Sequence, residues 1–204
     1  MKLLLPDVLK KAVGPLIEGC EFAPSNPSGG FARQALDALL EQAEWADATL
    51  LSGDFGRNSE TAVVLEQFVE KHAGPITLTK DAVDYFHSRP LELLNREHTC
   101  AVASLGQLQK LAMATSFDRA IKTSLDLMQI VEVLHAFSLK HPAHFMTHQF
   151  DTTVVASNGK VSTTKTGQAD DVWQTKTASR ATVFWLQNTN KPLEALVSSL
   201  LKTS

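Results

Sequence analysis

Cysteine, basic clusters and long apolar runs are scarce in this chain of 204 residues, and each absence excludes a class of protein. Only Cys20 and Cys100 are present, far apart and without a Cys-x-x-Cys partner, so we expect reduced, buried thiols rather than a disulfide framework. No stretch of about 18 apolar residues occurs, and the first apolar run is short, which predicts a cytoplasmic protein without a membrane span or signal peptide. The formal net charge is -3 without a long basic block, so nucleic acid is not an expected partner.

Common catalytic and ligand-binding signatures are also missing. The chain has no Gly-x-Gly-x-x-Gly, Walker or Gly-x-Ser-x-Gly pattern. His141, His144 and His148 are closely spaced, but Pro142 breaks the helix between them, so three ligands would not share one face. We therefore expect no metal site.

Strands and helices alternate through about residue 147, and this order predicts a parallel sheet. Two β-rich runs, Asp151–Ala156 and Lys160–Thr166, then flank Asn158-Gly159, a strong hairpin signal. Two helices, Ala178–Leu186 and Pro192–Leu201, follow. The sequence thus predicts one α/β domain over residues 1–204, with a three-layer, mostly parallel sheet, helices on both faces and an antiparallel hairpin at the C-terminal edge.

The loop Ser52–Arg57 links a predicted strand, Ala48–Leu51, to a helix that Asn58 or Ser59 can cap. Free backbone N–H groups at such a helix start favour an anion. The alternative is an ordinary tight turn between a strand and a helix. Asp81 and Gln107 follow two further predicted strands, at the same carboxyl edge where open α/β sheets bind ligands.

The order of these elements resembles the ribokinase-like carbohydrate kinase superfamily, and within it the ADP/ATP-dependent NAD(P)H-hydrate dehydratases. Ser52–Arg57 stands where that family has Gly-Pro-Gly-Leu-Gly-Arg, and Gly56 and Arg57 match. Asp81 matches the second aspartate of the family's Asp-Ala-Asp-Ala-Leu, and Gly106 matches the glycine of its Thr-Pro-His-Pro-Gly-Glu. The hairpin and the segment 191–195 also match.

The chain departs from the family where catalysis would take place. The family has Gly-Gly-Thr-Gly-Asp at a helix start, whereas this chain has Gln174–Ala178, with Ala178 in place of the catalytic base. An alanine cannot move a proton, and a Cβ at each glycine position hinders close backbone approach to phosphates. Asp170 and Asp171 lie shortly upstream, and another loop path would bring one into the cleft. The family's opening strands, with their own glycine-rich turn, also lack a counterpart.

The resemblance therefore implies a catalytically degenerate protein that binds a nucleotide-like ligand, such as ADP, ATP or an NAD(P)H-like molecule, or a protein partner. One alternative is an active NAD(P)H-hydrate dehydratase or small-substrate kinase, in which Asp81 or Asp54 supplies the proton chemistry. The other is a structural or interaction subunit, as a homo-oligomer or with a partner chain. Asp81 is the candidate catalytic residue, and the candidate ligand-binding residues are Gly53, Asp54, Gly56, Arg57, Asn58, Gly106, Gln107 and Lys176.

Overall fold

The computed structural model describes residues 1–13, 16–53 and 58–201. Its strands are β1 (Leu3–Pro6), β2 (Cys20–Ala23), β3 (Thr49–Leu51), β4 (Ile76–Thr79), β5 (Thr99–Val102), β6 (His144–Gln149), β7 (Thr152–Ser157) and β8 (Lys160–Lys165). Its α-helices are α1 (Lys10–Val13), α2 (Ala35–Trp45), α3 (Ser59–Lys71), α4 (Asp81–Asp84), α5 (Pro90–Leu94), α6 (Leu105–Ala114), α7 (Leu127–Lys140), α8 (Trp173–Gln187) and α9 (Pro192–Ser198). Short 3-10 helices cover Asp7–Leu9 and Tyr85–His87.

The main sheet has six strands in chain order, β3-β4-β5-β6-β7-β8. Neighbouring strands from β3 to β6 are parallel, and β7 and β8 continue the sheet as an antiparallel hairpin. β1 and β2 form a separate parallel pair. The sequence prediction of a mostly parallel sheet with an antiparallel C-terminal hairpin is confirmed.

Side chains alternate between two hydrophobic cores, one on each face of the sheet. In β5, Ala101 packs into the larger core, which α2 to α7 cover, while Cys100 and Val102 pack into the smaller core. Only α8 and α9 supply helical residues to the smaller core within the described chain, including Ala178 and Trp185. This period-two alternation explains the three layers, because a sheet with two apolar faces needs helices on both. Burial raises the pKa of the Cys100 thiol to about 12, so this thiol is inert.

Local polar contacts fix several helix ends. α3 begins at Asn58, whose Oδ1 accepts from the backbone N–H of Glu60 at 2.8 Å and of Thr61 at 3.2 Å, as the sequence predicted. α6 and α7 each begin with a capping box, formed by a serine or aspartate and a glutamine three residues later. The end of α3 is held by Arg96, whose guanidinium donates to the carbonyls of Val69, His72 and Gly74.

The hairpin turn is the predicted Asn158-Gly159. Both residues have positive φ, 49° and 74°, as a two-residue type I′ turn requires. A Cβ on Gly159 would collide with the side chain of Leu139.

The three closely spaced histidines, His141, His144 and His148, have different surroundings. His144 is 3% exposed, its Nδ1 lies 2.9 Å from Ser157 Oγ, and its ring packs edge-on against Trp185. Burial lowers the pKa of His144 to about 4. His141 is also buried, and burial lowers its pKa. His148 lies at the pocket described below, and no cluster of metal-ligating side chains occurs within residues 1–13, 16–53 and 58–201.

Four sequence expectations need correction. The richness of residues 19–30 in proline, serine and glycine predicts a loop, but Cys20–Ala23 forms β2 against β1. This pairing is too short to show as an alternating pattern in the sequence. α5 has no counterpart among the predicted helices. α8 begins at Trp173 rather than Ala178, because its first turn is polar and lacks an apolar period. Finally, the sequence offers Asn190 as a possible cap of the last helix, but the residue at the cap position of α9 is Lys191. None of the described helices is long and apolar enough to cross a membrane.

Candidate functional site

The candidate cleft lies at the carboxyl edge of the parallel strands. β3, β4 and β5 run in parallel, so the residues that follow them, Ser52, Lys80 and Ser104, come to the same edge of the sheet. The first turn of α8 reaches this edge from the opposite face, since the Oγ1 of Thr175 lies 3.4 Å from the Oγ of Ser52. The strand and helix around the 52–57 loop are as predicted, whereas residues 54–57 lie outside the described chain.

Gln107 connects the loops of this edge. Its Nε2 donates to Lys80 O at 2.9 Å and to the Asp84 carboxylate at 2.8 Å. Its Oε1 accepts from the Ser104 backbone N–H at 3.0 Å and from Gln174 Nε2 at 2.9 Å. The side chain is 9% exposed, so these bonds use both its donor and its acceptor capacity inside the protein. Gln107 is therefore a structural link between the loops, and no free amide remains for a ligand.

Gln174 closes the cleft from the α8 side. Besides its bond to Gln107, its Nε2 lies 3.4 Å from Val102 O, the last carbonyl of β5. The two amide side chains thus fill the space between the β5 end and the α8 start.

Lys80 has an unusual backbone conformation, with φ 52° and ψ -136°. Such a conformation is disfavoured for a residue with a side chain and persists only where its surroundings hold it. The bond from Gln107 to Lys80 O provides that support. Asp81, the candidate catalytic residue, follows directly as the first residue of α4 and is half-buried.

A pocket of about 480 Å³ lies beside the α8 start. Its walls come from β6 to β8, the loop 166–170, α8 and the end of α9. The lining residues are His148, Thr153, Thr164, Lys165, Thr166, Gly167, Gln168, Ala169, Asp170, Trp173, Lys176, Thr177, Arg180, Ser199, Leu200 and Leu201. We call this space the α8 pocket.

Charged side chains surround the α8 pocket. Lys176 forms an ion pair with Asp170, and this contact holds the pKa of the Asp170 carboxyl below its usual range, so Asp170 is ionised at neutral pH. Arg180 donates to Leu201 O at 2.7 Å and keeps further N–H groups for other acceptors. Asp170 Oδ1 also accepts from the Val172 N–H at 3.1 Å, just ahead of the helix.

His148 and Trp173 form an aromatic wall, with ring centroids 5.6 Å apart. The Nε2 of His148 lies 2.9 Å from Phe150 O, and a carbonyl only accepts, so Nε2 carries the proton. Nδ1 lies 3.2 Å from the hydroxyl of Thr153 and 3.4 Å from the hydroxyl of Thr166. The ring is consequently held in one orientation at the pocket.

The remaining predicted ligand-binding residues differ in whether they lie at the sheet edge and in whether their polar groups are already used in the fold. Gly53 has φ 145°, a conformation that side chains rarely adopt, and lies at the sheet edge. Asn58 uses its oxygen as a helix cap and its nitrogen on Ser28 Oγ at 2.8 Å, so its amide is committed to the fold. Gly106 lies inside α6, and a Cβ there would meet only Ser104 Oγ at 3.9 Å, so the position does not require glycine. Asp54, Gly56 and Arg57 belong to the segment outside the described chain.

Ala178 lies within α8, fully buried in the smaller core. The segment around Ala178 is helical and not a loop, because α8 already begins at Trp173. Lys176, in contrast, is placed at the α8 pocket together with Asp170, one of the two upstream aspartates. The family resemblance had placed Gln174 at the cleft, whereas sequence reasoning missed Trp173 and Arg180 as pocket residues.

No family model matches this sequence, and no curated protein matches it significantly. The structure is similar to a hypothetical protein from Streptococcus mutans, with a TM-score of 0.71 and 11% identity over 98% of this chain and 68% of that one. It is also similar to a ribokinase-like superfamily protein from Enterococcus faecalis, with a TM-score of 0.66 and 15% identity over 92% of this chain and 63% of that one. A third match is Anopheles gambiae adenosine kinase in complex with a di(adenosine) tetraphosphate, with a TM-score of 0.52 and 12% identity over 83% of this chain and 55% of that one. Identities this low establish the fold alone, and the fold of this chain is ribokinase-like.

Proposed function

We propose that this protein binds a nucleotide-like polyphosphate ligand in the α8 pocket and does not transform it. The observation that carries the proposal is that one pocket, at the start of α8, is lined both by the aromatic pair His148 and Trp173 and by the cations Lys176 and Arg180. A flat ring packs on aromatic side chains, and phosphates favour cationic side chains and helix N-termini. The volume of about 480 Å³ suits a small-molecule ligand.

ADP, ATP and NADH are the ligands to test. The resemblance to NAD(P)H-hydrate dehydratases supports this choice, and the Anopheles adenosine kinase was solved with an adenosine polyphosphate. When bound, such a ligand would supply phosphate oxygens as acceptors for Lys176 and Arg180. Lys176 would exchange its partner Asp170 for a phosphate, a pairing of comparable strength.

Two features support binding without catalysis. Ala178, at the position that corresponds to the family's base, has no exposed atom and no proton to exchange. The Gln107–Gln174 bridge occupies the edge of the sheet where a reacting group would otherwise approach. Neutral amides there neither accept a proton nor compensate a developing charge as strongly as a free helix start does.

Asp170 favours a second candidate function, an active dehydratase or kinase. Its carboxylate lies in the α8 pocket, directly before the helix, where it could face a bound ligand. In this alternative, Asp170 rather than Asp81 is the base.

Calorimetric titration with ADP, ATP and NADH tests the binding proposal. We expect at least one Kd below about 1 mM, equivalent to about -4 kcal/mol. Lys176→Ala and Arg180→Ala each remove a charged contact and weaken this Kd about tenfold. Lys191→Ala is the matched control, because this lysine does not line the pocket, and its Kd stays unchanged. Absence of binding by all three ligands at millimolar concentration would refute the proposal.

Activity assays separate the two candidate functions. Hydrated NADH with ADP or ATP should show no turnover above buffer. Turnover that Asp170→Asn abolishes, with ligand affinity retained, would replace the non-catalytic proposal with the second candidate.

A further inference from the structure

The strand β8 is an edge of the main sheet. It pairs with β7 on one side and with no other strand of the described chain on its other side. Ser157 and Lys160 flank the two-residue turn and exchange backbone hydrogen bonds, so bonding to β7 alternates from there. The bond from Thr166 N to Asp151 O, at 2.9 Å, continues the same alternation.

Backbone groups on the outer side of β8 therefore belong to Val161, Thr163 and Lys165. Their N–H and C=O groups point away from β7, while those of the intervening residues point toward it. An edge of this kind is a template for another strand. No proline interrupts β8, and lysines lie only at its two ends.

The sequence of β8 suits antiparallel pairing with itself. A two-fold axis at Thr163 places Thr163 opposite Thr163 and Val161 opposite Lys165 of the second copy. All three outward residues then form hydrogen-bonded pairs, with about six bonds in total. Threonine pairs are favourable across antiparallel strands, and in this register no lysine lies directly opposite another lysine.

A groove beside β8 contains one acidic side chain, Glu132, together with Arg119 and His135. It has a volume of about 280 Å³ and is lined by Arg119, Val131, Glu132, His135 and Val161. Directly opposite residues share one face of a sheet, so Lys165 of the second copy lies over Val161 and extends toward Glu132. Lys165 is 85% exposed in one copy, with only a 3.6 Å contact to Asp151, and is available for this pairing.

We propose that two copies of this chain associate through antiparallel β8–β8 pairing, which joins the two sheets into one continuous sheet. The ion pair between Lys165 and Glu132 of opposite copies occurs twice in the symmetric dimer and fixes the register. Lys165 also lines the α8 pocket, so the interface lies beside that pocket.

Light scattering and sedimentation across micromolar to submillimolar concentrations provide the first test. We expect a concentration-dependent dimer that Thr163→Pro abolishes, because proline removes the outward N–H group and its ring obstructs an approaching strand. The Thr163 N–H makes no bond to β7, so the variant keeps its thermal stability within a few degrees. Thr163→Ala is the control and stays dimeric.

A charge exchange tests the register. Glu132→Lys and Lys165→Glu each create two repulsive pairs and weaken dimerisation about tenfold. The double variant Glu132→Lys/Lys165→Glu restores the original affinity.

Three outcomes would overturn the proposal. A protein that stays monomeric at every concentration excludes the interface. If the single and the double charge variants dimerise with equal affinity, the proposed register is excluded. A dimer that persists in Thr163→Pro would point to another surface, such as the exposed apolar residues Val8, Leu16, Ile17 and Trp45 near the N-terminus.

Discussion

Replacement of Gln107 by leucine should destabilise the protein by about 3 kcal/mol. The leucine fills a similar volume but leaves Lys80 O, the Ser104 N–H and Gln174 Nε2 without their partner. A lost hydrogen bond costs about 0.5–1.5 kcal/mol, and one to a charged group such as Asp84 costs more. The sum is reduced because these partners are only partly buried and water can replace some of the bonds.

Urea unfolding and thermal melting measure this effect. For a domain of this size, about 3 kcal/mol corresponds to a fall in Tm of roughly 6–12 °C, with an unchanged m-value. Gln109→Leu is the matched control in the same helix, since its side chain makes none of these bonds, and it should change stability by about 0.5 kcal/mol or less.

A double-mutant cycle with Gln174→Leu isolates the contact between the two amides. We expect a coupling free energy of about 1 kcal/mol, because residues in one hydrogen-bond network are not additive. Equal effects of Gln107→Leu and Gln109→Leu, or a coupling near zero, would refute Gln107 as the link between the loops and α8.

Three further outcomes follow from the fold. Arg96→Met removes three carbonyl contacts at the end of α3 and should cost about 2–3 kcal/mol in urea unfolding, whereas Arg119→Met, on an exposed arginine, should have little effect. His144 has a folded-state pKa of about 4, below its ordinary value of 6.5, so the unfolded chain binds the proton more tightly and stability falls as pH drops from about 6.5 toward 4. This histidine contributes about 2 kcal/mol to the loss between pH 7 and pH 5, and a His144→Gln variant with the same loss would contradict that assignment. Gly159→Ala should cost about 1–2 kcal/mol through its positive φ and its contact with Leu139, and Leu139→Ala should relieve only the contact part, leaving about 1 kcal/mol by thermal melting.

Local signals in the sequence predicted most of the fold. The sequence run Thr99–Val102 predicts a strand with the bounds that β5 has, since a short run of β-branched and apolar residues favours a buried strand. The hairpin followed from Asn158-Gly159, because few other dipeptides accept two consecutive positive φ values. Asn58 at the start of α3 followed from side-chain chemistry alone.

The site was less predictable because its contacts are distant in sequence. Gln107 and Gln174 are 67 residues apart, and nothing in either segment indicates that the other lies within hydrogen-bonding distance. The polar first turn of α8 has no apolar period, so the helix start was placed five residues too late. Lys176 was named as a ligand-binding residue from the resemblance, but Trp173 was not. β2 escaped prediction for a related reason, as a four-residue strand whose partner lies before a 3-10 helix and α1.

The order of the strands in the sheet also determines at which stage of synthesis the fold can be completed. Because β3 to β8 lie in chain order and the helices between the parallel strands pack on one face, that face can assemble while the chain is still being synthesised. On the opposite face, Val102 and Met146 stay exposed to solvent until α8 and α9 have been synthesised and pack against them. A ribosome-bound chain that ends before residue 173 would therefore carry a wide apolar surface and be a natural client for a chaperone. The cleft and the α8 pocket form only in that last step, so ligand binding would report on the completion of folding.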